Sequence, residues 1–106
     1  MYYVYILRCM DNSLYTGITN DFIKRYHTHF SKGCGAAKYT RSRQVVGVAA
    51  LWEAPSKSFA LKLEIRIKKL TKSRKEALVA NPGLFAEFFK DLEDVYKYTP
   101  FNMENQ

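Results

Sequence analysis

Residues 2–19 read Tyr2-Tyr3-Val4-Tyr5-Ile6-Leu7-Arg8-Cys9-Met10-Asp11-Asn12-Ser13-Leu14-Tyr15-Thr16-Gly17-Ile18-Thr19, and this stretch decides the fold. Positions 2–9 are β-branched and aromatic, with apolar residues on both alternating faces, the pattern of a strand covered on both sides. Met10 to Ser13 is turn chemistry, because Asp11 and Asn12 have short polar side chains able to bond their own backbone. Leu14 to Thr19 then returns as the second strand of a hairpin, with Gly17 inside it.

Outward from the hairpin the period changes. Phe22, Tyr26 and Phe30 recur at helical spacing behind a cap at Thr19 or Asn20. Ser31 to Arg43 is polar, glycine-containing and basic, and reads as a loop. Val45 to Trp52 is a third strand, ended by Pro55. Ser56 or Ser58 caps the next helix, whose apolar residues are Ala60, Leu63, Ile67 and Leu70. Ser73 and Glu76 have capping-box spacing and open another short helix, which Asn81-Pro82-Gly83 breaks. Leu84, Phe88, Leu92 and Val95 stripe a last amphipathic helix. The order predicts an α+β fold, a small three-stranded antiparallel sheet flanked by helices, in one domain over residues 1–98 with a frayed tail at 99–106.

A chain of 106 residues is long enough for one core. Its formal charge of +7 is unevenly spread: residues 1–80 hold 15 of the 17 Lys/Arg and 5 of the 10 acids, whereas residues 81–106 are net −3. A basic front favours a polyanionic partner, although a high pI also occurs in proteins that bind nothing anionic specifically. No run approaches the ~20 apolar residues that span a bilayer. The N-terminus lacks a basic n-region and a cleavage site, so a cytoplasmic protein is expected, and the partner expectation is a monomer without membrane association. Cys9 and Cys34 lack metal-ligand spacing and are expected to be reduced thiols.

Several polar residues carry chemistry. Taken singly, Tyr5 and Tyr15 are most simply core tyrosines, and Gly17 a strand bulge. Arg25 and His29 lie one helical turn apart on the margin of the Phe22/Tyr26/Phe30 stripe; taken singly they read as a solvated arginine and a surface histidine, and taken together as a planar fork for a phosphate and a proton carrier. Glu64 falls between Ala60 and Ile67, on the packing side of a helix whose outer face is basic. A carboxylate there is costly unless paired, and its partner is either a hard divalent cation or Lys68 at i+4.

In order and spacing, Tyr3-Val4-Tyr5, Tyr15-Thr16-Gly17, Arg25, His29 and Glu64 resemble the GIY-YIG nuclease superfamily, over residues 1 to about 75. The likeness is greatest to its small stand-alone single-domain bacterial members. In the family the motifs are Gly-Ile-Tyr and Tyr-Ile-Gly, so Tyr5 and Tyr15 take the two tyrosines and Gly17 the last glycine. Tyr3 replaces the first glycine, Thr16 replaces the isoleucine, and Asn81 is a poorly spaced match for an asparagine many members carry after the glutamate. The resemblance implies a metal-dependent endonuclease that hydrolyses phosphodiester bonds in nucleic acid, DNA ahead of RNA. It implies Tyr5, Tyr15, Arg25, His29 and Glu64 as catalytic residues, with Glu64 holding a single Mg²⁺ or Mn²⁺. Gly17 approaches a phosphate in this reading, and Lys38, Arg41 and Arg43 of the basic loop contact nucleic acid. The five catalytic candidates are expected on one concave, positively lined surface. The alternatives are a nucleic-acid-binding module of the same fold that cleaves poorly, and a protein-interaction domain using the acidic C-terminal helix.

Overall fold

A computed structural model describes residues 1–32, 44–92 and 94–101, with residues 29–32 as backbone alone. Strands β1 (Tyr2–Cys9) and β2 (Leu14–Thr19) form the hairpin, with Tyr5 opposite Gly17 and Leu7 opposite Tyr15. Its turn uses the expected chemistry: the Asp11 carboxylate accepts from the Ser13 N–H at 3.1 Å, and Asn12 takes the left-handed conformation with φ 67°. Strand β3 (Val45–Ala54) pairs antiparallel with the other side of β1.

The expected three strands become four. Strand β4 (Thr99–Pro100) pairs with β3, giving the order β2-β1-β3-β4. The Phe101 N–H extends the join by donating to the Leu51 carbonyl at 2.9 Å. Residues 99–101 are therefore tied down where fraying was expected; Pro100 is tolerated because this strand is an edge that needs no donor on its outer side.

Strand alternation splits the core. Val4, Ile6, Ala50, Trp52 and Ala54 point to one face, against Ala60, Leu63 and Ile67 of α2 (Lys57–Lys68) and Leu78 of α3 (Lys72–Ala80). Trp52 anchors this side, fully buried with its indole N–H donating to the Pro82 carbonyl at 3.2 Å. Truncating it to alanine is expected to cost ~3–5 kcal/mol. Tyr5, Leu7, Cys9, Val45 and Leu51 point to the opposite face, where Phe22 and Tyr26 of α1 (Phe22–Lys32) cover them.

The helix boundaries shift where a side chain finds a better partner. Asp21, rather than Thr19 or Asn20, caps α1, accepting from the Lys24 N–H at 3.2 Å. Ser56 caps α2 as expected. Thr71 caps α3 by accepting from the Arg74 N–H at 3.2 Å, so the Ser73–Glu76 box does not form. Glu76 is instead gripped by Arg8, whose guanidinium donates to both carboxylate oxygens at 2.5 and 2.7 Å. The last amphipathic helix is broken into a 3-10 turn at Pro82–Leu84, a short α4 (Phe85–Phe88) and a second 3-10 turn at Val95–Lys97. The stripe residues Leu84, Phe88, Leu92 and Val95 still pack on the core, so the spacing reported burial and not helix continuity. Cys9 is buried and disulfide-bonded, against the expectation of a reduced thiol. Cys34, the other cysteine, lies outside the described residues. Among the described residues no helix is long and apolar enough to cross a membrane.

Candidate active site

The site is built on the hairpin. Tyr5 is 1% exposed on the α1 side of β1, and its ring lies across Gly17 on the neighbouring strand. A Cβ on Gly17 would come within 2.5 Å of the Tyr5 Oη and 2.7 Å of its Cζ. The pairing register runs unbroken through Gly17, so this glycine is not a bulge. It is the floor beneath a tyrosine. Because β2 is an edge strand, a ring laid across it carries its hydroxyl toward the rim of the sheet.

Other rings hold Tyr5 in place. Phe22 packs against it with centroids 5.7 Å apart, and Tyr15 lies on the same face at 6.4 Å. Arg25, the next α1 residue on that side, forms a side-chain hydrogen bond to the Tyr5 hydroxyl. Burial pushes the Tyr5 phenol above its ordinary pKa, and the Arg25 hydrogen bond and charge pull it back. Tyr15 and the negative charge of Glu64 add to the upward push. Arg25, Tyr15 and Glu64 thus all act on one oxygen.

Glu64 belongs to another layer, and its charge is the smallest of the influences on the Tyr5 phenol. Its helix packs on the face away from α1, but lies against β2 and β1, at the rim that Tyr5 points toward. The Glu64 side chain is only 14% exposed, and Lys68 is its ion-pair partner at 3.3 Å. The i+4 pairing foreseen as the alternative to a metal is therefore present, while the same carboxylate acts on Tyr5. Among the described residues no group of three His, Cys, Asp or Glu gathers as a metal cluster. One shielded carboxylate fits a hard ion that keeps most of its waters, provided that Lys68 swings aside.

Three of the five expected residues, Tyr5, Tyr15 and Arg25, come together by contact, and Glu64 acts on them through its charge. His29 follows Arg25 by one turn of α1, with only its backbone described, and Lys38, Arg41 and Arg43 lie outside the described residues. A cleft of about 300 Å³ adjoins the site through Phe22, but none of the five residues lines it. Thr16, in the isoleucine position of the second motif, is buried opposite Ile6. Asn81 accepts from the Gly83 N–H at 3.2 Å, capping the turn after α3. Sequence reasoning missed two features: Phe22 as the support of Tyr5, and the aromatic cleft beside it. The ring at position 22 was legible as core; which ring it would touch was not.

The model of the GIY-YIG catalytic domain matches residues 1–77, and the chain belongs to the GIY-YIG family. Its relatives are small proteins of the UPF0213 group. The chain is 45% identical over 97 residues to UPF0213 protein FN1575 of Fusobacterium nucleatum, covering 91% of each chain. It is 42% identical over 92 residues to UPF0213 protein YhbQ of Escherichia coli, covering 87% of this chain and 90% of that one. The solution NMR structure of UPF0213 protein BH0048 from Bacillus halodurans is 41% identical, with a TM-score of 0.51, over 88% of this chain and 98% of that one. The GIY-YIG family is a nuclease family, and nucleic acid is the substrate class that membership implies.

Proposed function

We propose that the protein is a divalent-metal-dependent nuclease that hydrolyses phosphodiester bonds in DNA. The observation that carries this reading is the buried Tyr5 ring laid across Gly17 and beside Tyr15, with its hydroxyl hydrogen-bonded to Arg25. Arg25 only donates, so the Tyr5 oxygen is the acceptor of that bond and the phenol proton points elsewhere. Kept protonated by burial, Tyr5 is a hydrogen-bond donor at neutral pH, suited to orienting water or the leaving oxygen. The remaining N–H groups of Arg25 face a phosphate whose charge grows as water adds to phosphorus and the ester bond breaks. Glu64 is the residue that would hold the metal, Mg²⁺ or Mn²⁺, whose contribution when bound is Lewis-acid neutralisation of phosphate charge. His29, one turn beyond Arg25, is proposed to shuttle a proton, and Lys38, Arg41 and Arg43 to contact the backbone.

A weakly cleaving nucleic-acid-binding module is the second reading, favoured by the Lys68 ammonium that already neutralises Glu64. Nicking of supercoiled plasmid with Mg²⁺, Mn²⁺ or chelator, by wild type and Glu64→Gln, separates the two. The nuclease reading expects metal-dependent nicking that falls by orders of magnitude in the variant. DNA binding holds or tightens, because a negative charge has left a basic surface. Stability changes by only a few tenths of a kcal/mol, the worth of an i,i+4 pair. Full activity in Glu64→Gln removes Glu64 from the site; binding without nicking by wild type supports the module.

A further inference from the structure

We propose that the cleft beside the candidate site is a nucleobase subsite, which takes one unpaired base next to the phosphate held at Tyr5 and Arg25. The proposal rests on the nuclease reading and adds the substrate feature that this site reads. Tyr3, Phe22 and Phe101 give the cleft three aromatic walls, with Leu51 below and Asn20 and Asp21 at the rim. Its volume of about 300 Å³ sits at the lower end of pockets that hold small planar ligands (~300–1,000 Å³).

Three observations select a base as the occupant. Tyr3 and Phe101 are splayed, centroids 6.4 Å apart and planes at 54°, so they form walls instead of a closed stack. Phe101 is half-buried yet fixed, because its N–H bonds the Leu51 carbonyl and β4 pairs with β3. A partly exposed ring held by backbone is a stacking platform that costs little further ordering when a base arrives. The rim charge decides between base and phosphate. The Asp21 carboxylate, which caps α1, repels a phosphate and accepts hydrogen bonds from an exocyclic amino group.

Position links the cleft to the chemistry. Tyr3 and Tyr5 are two residues apart on one face of β1, roughly 7 Å along the strand. Phe22 belongs to both places, lining the cleft and packing on Tyr5 at 5.7 Å. A base in a duplex is stacked on both faces and cannot enter, so the occupant is single-stranded, flipped or at a break. Phe101 lies beyond the residues that the family model matches, so this wall is an addition to the shared domain.

The test measures binding in chelator, without cleavage. In NMR titrations, deoxycytidine monophosphate is expected to shift the ring resonances of Tyr3, Phe22 and Phe101, and deoxyribose 5-phosphate to leave Tyr3 and Phe101 unmoved. Phe101→Ala is expected to weaken binding of a fluorescent single-stranded dC oligonucleotide about tenfold. Its affinity for the matching duplex should not change, and Phe101→Trp should restore single-strand binding. If Phe101→Ala unfolds, Phe101→Leu keeps the packing and still lacks the aromatic face. Unchanged single-strand affinity in a folded Phe101 variant, or equal loss on duplex and single strand, overturns the subsite. A Phe101-dependent single-strand preference in a wild type that nicks nothing leaves the subsite standing and overturns the nuclease.

Discussion

Gly17→Ala tests the geometry on which the site is built. The new Cβ lands 2.5 Å from the Tyr5 Oη and 2.7 Å from Cζ, where ordinary contact begins near 3.4 Å, so the ring must retreat by about 1 Å. Tyr5 has nowhere easy to go, since it is 1% exposed and bounded by Phe22 and Tyr15. Overpacking of this kind costs ~1–3 kcal/mol. The same retreat carries the phenol off the Arg25 guanidinium, and ~1 Å of misplacement at a reacting group lowers rate about a hundredfold. A companion variant isolates the cause. In a Tyr5→Ala background the obstructing atoms are gone, and Gly17→Ala should become neutral or stabilising by up to ~1 kcal/mol, because alanine orders more cheaply than glycine at an unstrained position. Urea melts of the four proteins give the coupling, expected at ~1–3 kcal/mol, with nicking rates measured alongside. Equal destabilisation by Gly17→Ala in both backgrounds would refute the argument, for the glycine would then serve the backbone and not Tyr5.

The other predictions concern charge. Arg8 holds the Glu76 carboxyl down at about 2, chiefly through its hydrogen bonds, from its ordinary 4.5. A lowered carboxylate contributes stability above about pH 4.5, lost as pH falls toward 2. The unscreened worth is ~3 kcal/mol, but Glu76 is a third exposed, so about 1 kcal/mol is expected. Urea melts should show wild type ahead of Glu76→Gln at pH 7 and level with it near pH 2; a gap independent of pH removes the linkage. DNA affinity should fall steeply with salt, with a log–log slope of ~0.9 per phosphate contacted. Lys24→Gln should reduce that slope by about one and Arg66→Gln should leave it unchanged, as fluorescence anisotropy would read. A flat salt profile would favour a protein partner over nucleic acid.

The hairpin, the third strand and the two faces of the core were legible because strand alternation and helical spacing state burial directly. Tyr5, Tyr15, Arg25 and Glu64 were legible as a set only through motif order, since each side chain alone has a duller explanation. What was not legible turned on competition between partners. Glu76 has the spacing of a capping residue after Ser73, yet a guanidinium brought in by β1 offers two charged hydrogen bonds and wins. The stripe Leu84–Phe88–Leu92–Val95 suits a helix, but Asp94 turns left-handed at φ 55° and the chain breaks into short turns. Gly17 could be read as a bulge or as a phosphate neighbour; only the cross-strand register shows that it makes room for Tyr5.

The charge on residues 1–80 overstates what a polyanion meets, because part of it is already engaged. Arg8 and Lys72 share Glu76, Lys68 faces Glu64, and Arg66 is held by Asp91 from the acidic C-terminal segment. Those pairs gather on α2 and α3, the helices that cover the Trp52 face of the sheet. Helix α1 differs: Phe22 to Lys32 contains Lys24, Arg25 and Lys32 and no acid. The acids offset only part of the Trp52 side, where seven Lys/Arg of α2 and α3 meet Glu64, Glu76 and Asp91; the three cations of α1 meet the Asp21 cap alone, so both sides stay net basic. The α1 side is where Tyr5 and the aromatic cleft face, so the site has basic residues beside it, with Asp21 the one acid at the cleft. Long-range charge would draw a polyanion to either face, and on the α1 side Arg25 is the cation that stands beside Tyr5.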